Sequence, residues 1–152
     1  MPTIQRQFLL TEARPSGHRR LAISFADGFR AEVDLGLLIL RYPALSRLRH
    51  RRVFEDVALD EWQRGVVFGD DDALALASDN LRALAVEQAG GCSHEQLMAW
   101  MDRHGLTLDT AAEALGVSRR MLAYYRSGAK PIPKTVALAM LGWEVGQKPR
   151  AA

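Results

Sequence analysis

Across residues 21–35 apolar side chains recur at every second position: Leu21, Ile23 and Phe25, then Phe29, Ala31, Val33 and Leu35, with Arg30, Glu32 and Asp34 pointing the other way. A period of two puts alternate side chains on opposite faces of an extended strand, so this segment commits the chain to a sheet with one buried face. Asp27-Gly28 separates the two runs. The dipeptide readily takes positive φ angles, which predicts a tight hairpin closed by a type I′ turn. Pro43 starts a short helix through Leu48, and residues 53–59 and 66–68 read as further short strands, separated by Glu61, Trp62 and Gly65. Ser78 caps a helix running to about Gln88, whose Leu81, Leu84 and Ala85 share one face and cover the small sheet.

After Gly90-Gly91, a predicted flexible joint, the period changes to that of helices. Ser93-His94-Glu95-Gln96 fits a capping box, followed by an apolar stripe of Leu97, Met98, Trp100 and Met101 and a stop at Gly105-Leu106. Thr107 caps a second helix, with Asp109 in its first turn and a stop at Gly116-Val117, and Ser118 caps a third that ends before Gly128. Small Ala112 lies at the predicted crossing, and Ala111, Leu115, Val117, Leu122 and Tyr125 fill the space between these two helices. Such a pair matches a helix-turn-helix. Pro131-Ile132-Pro133 precedes a last helix over 134–143, with Val136, Met140 and Trp143 packed beneath the motif. The fold class expected is therefore α+β: a small antiparallel sheet with helices over residues 1–90, then an all-α unit over residues 91–152.

The formal charge of +2 conceals an asymmetry. Residues 1–90 carry 12 Lys and Arg against 13 Asp and Glu, whereas residues 91–152 carry 8 against 5. Arg119, Arg120, Arg126, Lys130 and Lys134 fall within 16 residues that contain no acid, which suits a polyanion such as double-stranded DNA. With Leu122 and Tyr125 buried, the third helix turns Arg119, Arg120, Ala123, Tyr124 and Ser127 outward. Arg119 and Arg120, near the helix start, are suited to guanine edges or phosphates, and Tyr124 to a phosphate or a thymine methyl. Arg126, Lys130 and Lys134 are suited to backbone charge, and the helix starts capped by Thr107 and Ser118 offer N–H groups to phosphates.

Other classes fare worse. A chain of 152 residues is too short for a large catalytic barrel or a doubly wound sheet, and 48% apolar with 25% charged residues is the balance of a globular domain. The longest apolar run, residues 136–143, falls far short of the ~18–20 residues of a membrane span, and the opening residues lack the basic-then-apolar pattern of a secretory signal, so a cytoplasmic protein is expected. Cys92 stands alone and has no internal disulfide partner; with His94 and His104 it makes no metal-ligand spacing, and a surface or linker position is expected for all three. Asp70-Asp71-Asp72 lacks the spaced ligands and glycine of a calcium loop and reads as a solvated turn. Trp62 is a partner-binding anchor or, more in keeping with its size, a core or half-buried aromatic, and the basic run over 47–52 reads as the solvated end of a short helix. No nucleophile motif or Gly-rich phosphate loop surrounds the histidines, so neither an enzyme nor a cofactor is expected.

Leu106-Thr107, Gly116-Val117-Ser118-Arg119-Arg120 and Tyr124-Tyr125-Arg126-Ser127-Gly128 together resemble the phage-repressor and Cro-like helix-turn-helix superfamily, over roughly residues 93–144. Leu108 departs from many repressors, which carry a polar Gln there. The first half, with Leu21 through Gly28 and Glu32-Val33-Asp34-Leu35, resembles a small bacterial α+β domain often fused to such a motif. The resemblance implies a lambda-repressor-like second unit and a DNA-binding transcriptional regulator that works as a homodimer. Some stand-alone relatives of the first unit are encoded beside toxin-like partners. An antitoxin or adaptor whose first unit engages such a partner, with autoregulatory DNA binding, is the alternative.

Overall fold

A computed structural model describes residues 5–147 and divides the chain into two compact units, Met1–Gln88 and Ala89–Ala152. The first is mixed α and β. Among the described residues it holds two antiparallel three-stranded sheets, one of β1 (Leu10–Gly17), β2 (Arg20–Phe25) and β3 (Arg30–Asp34), the other of β4 (Val57–Leu59), β5 (Gly65–Phe68) and β6 (Asp71–Ala77). Between them lie α1 (Gly36–Arg41), a 3₁₀ segment (Pro43–Arg49) and α2 (Arg51–Glu55), and α3 (Ser78–Gln88) closes the unit.

The alternation of residues 21–35 becomes the β2–β3 pairing, with Leu21 opposite Val33 and Ile23 opposite Ala31, and Leu21, Ile23, Phe25, Val33 and Leu35 all buried. The turn differs from the one predicted. Gly28 alone has positive φ, at 95°, while its N–H reaches Phe25 O at 3.0 Å and the Phe25 N–H reaches Phe29 O at 2.9 Å. That is a three-residue loop with a left-handed glycine, which spares Asp27 a positive φ and leaves its carboxylate to accept from the Phe29 N–H at 3.2 Å. Arg82 of α3 then lays its guanidinium over Phe29, 4.3 Å from the ring centre, and pairs with Asp27 at 2.8 Å. Burial pushes the Asp27 carboxyl up, but the Arg82 hydrogen bond, the Phe29 N–H and the Arg82 charge outweigh it and hold it below its ordinary value.

Four segments depart from expectation. β1 has no alternating pattern because register shifts between Leu10 and Glu12 and between Pro15 and Gly17 break the period. Residues 53–59 are not one strand: α2 ends at Glu55 and β4 starts at Val57, since Phe54 turns inward on a helix to meet Phe68, ring centres 5.7 Å apart. Asp71 and Asp72 open β6 rather than forming a solvated turn, and the Asp71 carboxylate pairs with Arg47. Trp62 is 73% exposed, neither core nor half-buried. Asp60 folds the β4–β5 loop by accepting the N–H groups of Trp62 and Arg64 at 3.0 and 2.9 Å, which carries the indole outward.

Among the described residues the second unit holds four helices: α4 (His94–Arg103), α5 (Leu108–Leu115), α6 (Arg119–Ser127) and α7 (Lys134–Gln147), the last extending four residues past the predicted end. Their buried core comprises Leu97, Trp100, Met101, Ala111, Ala112, Leu115, Leu122, Tyr125, Val136 and Met140. Met98, expected in the stripe, is 45% exposed because it lies one residue off the inward row. His104 is no surface residue: half-buried, it stacks edge-on against Trp143 at 4.9 Å, and Nε2 lies 2.8 Å from Glu144 Oε1. Among the described residues no helix is long and apolar enough to cross a membrane.

Candidate nucleic-acid interface

The geometry of the second unit follows from its caps. Ser93 Oγ accepts the Gln96 N–H at 3.1 Å while Gln96 Oε1 accepts the Ser93 N–H at 3.1 Å, which starts α4. At its other end Gly105 is left-handed and the Leu106 N–H returns to Met101 O at 2.9 Å. The same stop recurs after α5. Gly116 has φ 69°, its N–H reaches Glu113 O at 3.3 Å, and the Val117 N–H reaches Ala112 O at 3.1 Å. Chain direction changes within three residues, and Ala112 and Leu115 then pack with Leu122 and Tyr125 of α6 in one core.

The nine residues singled out from the sequence fall into distinct situations. Thr107 accepts the Thr110 N–H at 3.2 Å and Ser118 the Met121 N–H at 3.1 Å, so both hydroxyls are engaged as caps. By helical geometry the N–H groups of the first two residues after each cap point out of the helix end. Ser127 is also engaged: its hydroxyl donates to Tyr124 O at 3.2 Å and accepts from the Ala129 N–H at 3.3 Å, holding the turn after α6. Arg119, Arg120, Arg126, Lys130 and Lys134 are exposed.

Three of those cations have partners. Arg119 Nε lies 2.9 Å from Asp109 Oδ1, a pair bridging the starts of α5 and α6; with the two side chains 65% and 76% exposed, it is held weakly. Arg120 Nε donates to Tyr124 Oη at 3.1 Å, one helical turn on, and Lys130 Nζ sits 4.8 Å from the centre of the same ring. The Arg120 hydrogen bond and charge, with Lys130 adding to them against a little burial, lower the Tyr124 hydroxyl pKa, and the same bond raises that of Arg120. The i, i+4 spacing of Arg120 and Tyr124 was a signal open to sequence reasoning. The Asp109–Arg119 contact crosses a turn and had none.

The placement of charge is opposite to what helix stability favours. A helix start carries partial positive charge and welcomes acids, as with Glu95 in α4 and Asp109 in α5. α6 opens instead on Arg119 and Arg120, and α7 on Lys134, with no acid in either first turn. Cationic side chains, free N–H groups and the positive dipole ends thus coincide on these two helices.

No protein-family model and no curated protein matches the chain. Among solved structures it is similar to the crystal structure of "Putative DNA Binding Protein NE0471" from Nitrosomonas europaea ATCC 19718, with 40% identity and a TM-score of 0.83 over 93% of this chain and 89% of that one. With that identity sustained across nearly the whole of both chains, this protein belongs to the same family as NE0471.

Proposed function

We propose that the chain is a sequence-specific DNA-binding transcriptional regulator in which α5, the Gly116 turn and α6 act as a helix-turn-helix, with α6 entering the major groove. One observation carries the reading: three cations, Arg119, Arg120 and Lys134, stand at helix starts where the dipole disfavours them. Placement of that kind costs stability and concentrates positive potential where a phosphate would meet it. The name of the relative, a DNA-binding protein, agrees with it. Arg120 reads base edges, Arg119 serves a guanine or a phosphate once released from Asp109, and Tyr124 orients Arg120. Arg126, Lys130 and Lys134 neutralise backbone charge, with the N–H groups after Thr107 and Ser118 joining them. Two copies act together, their recognition helices about 34 Å apart on a palindromic site.

Titration against duplex DNA at several salt concentrations tests this. With Arg126, Lys130 and Lys134 on phosphate and Arg119 joining them, log K falls against log salt with a slope of up to roughly −3.6 per module. Arg120→Ala alters sequence preference, whereas Lys134→Ala weakens every site evenly and lowers the slope by about 1. A flat salt response would remove the basis of the reading.

A further inference from the structure

The first unit carries a second cationic site that the DNA-binding reading does not use. A cavity of about 390 Å³ has Arg19, Arg49, Arg51 and Glu55 in its lining. Three arginines thus share the lining with one carboxylate, and that carboxylate is already engaged, Glu55 Oε1 lying 2.7 Å from Arg51 Nε. Arg49 and Arg51 come from the basic run over 47–52 and Arg19 from the β1–β2 turn, segments that only the tertiary fold brings together. Like charges gathered around one concavity repel each other, and an anion placed among them relieves that repulsion.

Arg19 is the most informative member. It holds φ 55°, a left-handed conformation that is uncommon outside glycine and asparagine and strained for a residue such as arginine. Its carbonyl is fixed by the Leu35 N–H at 2.8 Å, so the turn cannot relax freely. Its Nε is buried and has no hydrogen-bond partner among the described residues. A guanidinium N–H shielded from water and left unpaired is costly, and the chemistry that satisfies it while adding to the field of Arg49 and Arg51 is an oxyanion held in a fork of N–H donors. The volume matches a metabolite rather than a macromolecule.

We propose that this cavity binds a small multiply charged oxyanion, a phosphate- or dicarboxylate-bearing metabolite, through Arg19, Arg49 and Arg51. The site is independent of α5–α7, so its failure would leave the DNA-binding reading standing.

The test is isothermal titration of the full chain with inorganic phosphate and, separately, with succinate, at ionic strength balanced by chloride. The result expected is one saturable event with at least one of the two and none with chloride; which anion binds identifies the group recognised. Arg19→Gly is the decisive variant because glycine accepts φ 55° without strain. Its thermal midpoint stays level or rises, and its affinity for the anion falls by about tenfold or more, as does that of Arg49→Gln. Lys134→Ala leaves the titration unchanged. Absence of binding by both anions, affinity that persists in Arg19→Gly and Arg49→Gln, or binding that disappears in Lys134→Ala would each overturn the proposal.

Discussion

At the scale of single residues, Asp109 is the side chain whose role the structure most alters. By sequence it is a helix-start acid; in the fold it also tethers Arg119 at 2.9 Å. An exposed pair of this kind is worth roughly 0.2–1 kcal/mol, so Asp109→Asn releases a cation and removes a negative charge from the face proposed to meet DNA. We expect roughly two- to fivefold tighter DNA binding at low salt, measured by fluorescence anisotropy, with the gain fading as salt rises. Glu144 offers a second residue-level prediction. Hydrogen bonds from Arg103 and His104 lower its carboxyl pKa, against slight burial, and the charges of the same two residues add to this. A lowered folded-state value means the unfolded chain binds the proton more readily. The stabilisation is therefore full above the ordinary carboxylate range and is lost as pH falls through the lowered value. Trp100 and Trp143, both adjacent to His104, report this by fluorescence. Glu144→Gln should unfold more easily at neutral pH and flatten the acid limb of the stability curve.

At the scale of elements, the α5–α6 turn depends on one backbone conformation. Gly116 has φ 69°, and a Cβ added there would meet nothing within 4 Å, so the cost of a side chain is conformational and not steric crowding. Gly116→Ala is expected to destabilise the second unit by about 1–2 kcal/mol, read from urea unfolding, with DNA affinity falling only as far as the unfolded fraction rises. A larger loss of affinity at full folding would mean that the angle between α5 and α6 had changed. The hairpin β2–β3 is secured differently. Its glycine opens the turn, while Arg82 clamps it from α3 through Asp27 and the faces of Phe25 and Phe29.

At the scale of the whole molecule, the proposed function requires two copies. A single short recognition helix contacts too few base pairs to select a site against the many non-specific ones in a genome. Sedimentation of the chain on a duplex selected from a random oligonucleotide pool should show two chains per site, and the selected sequence should have two-fold symmetry. One chain per asymmetric site would reject the paired arrangement while leaving DNA binding intact.

Much of the second unit was legible in the sequence because its determinants are local. Ser93, Thr107 and Ser118 cap the residues that immediately follow them, Gly105, Gly116 and Gly128 take left-handed conformations, and the buried stripe obeys the three- and four-residue spacing of a helix. Each of these is settled within about one turn of backbone. The alternation over 21–35 likewise foretold strands β2 and β3. The tertiary structure alone decided whatever depends on partners distant in sequence. Pairing with β2 makes a strand of the bulged residues 10–17, contact with Phe68 makes Phe54 helical, and chain folding brings Arg19 to Arg49 and Arg51 around one cavity. A one-residue bulge, an aromatic contact or a convergence of charges leaves no periodic trace, because its energy comes from side chains that meet only after the backbone has closed.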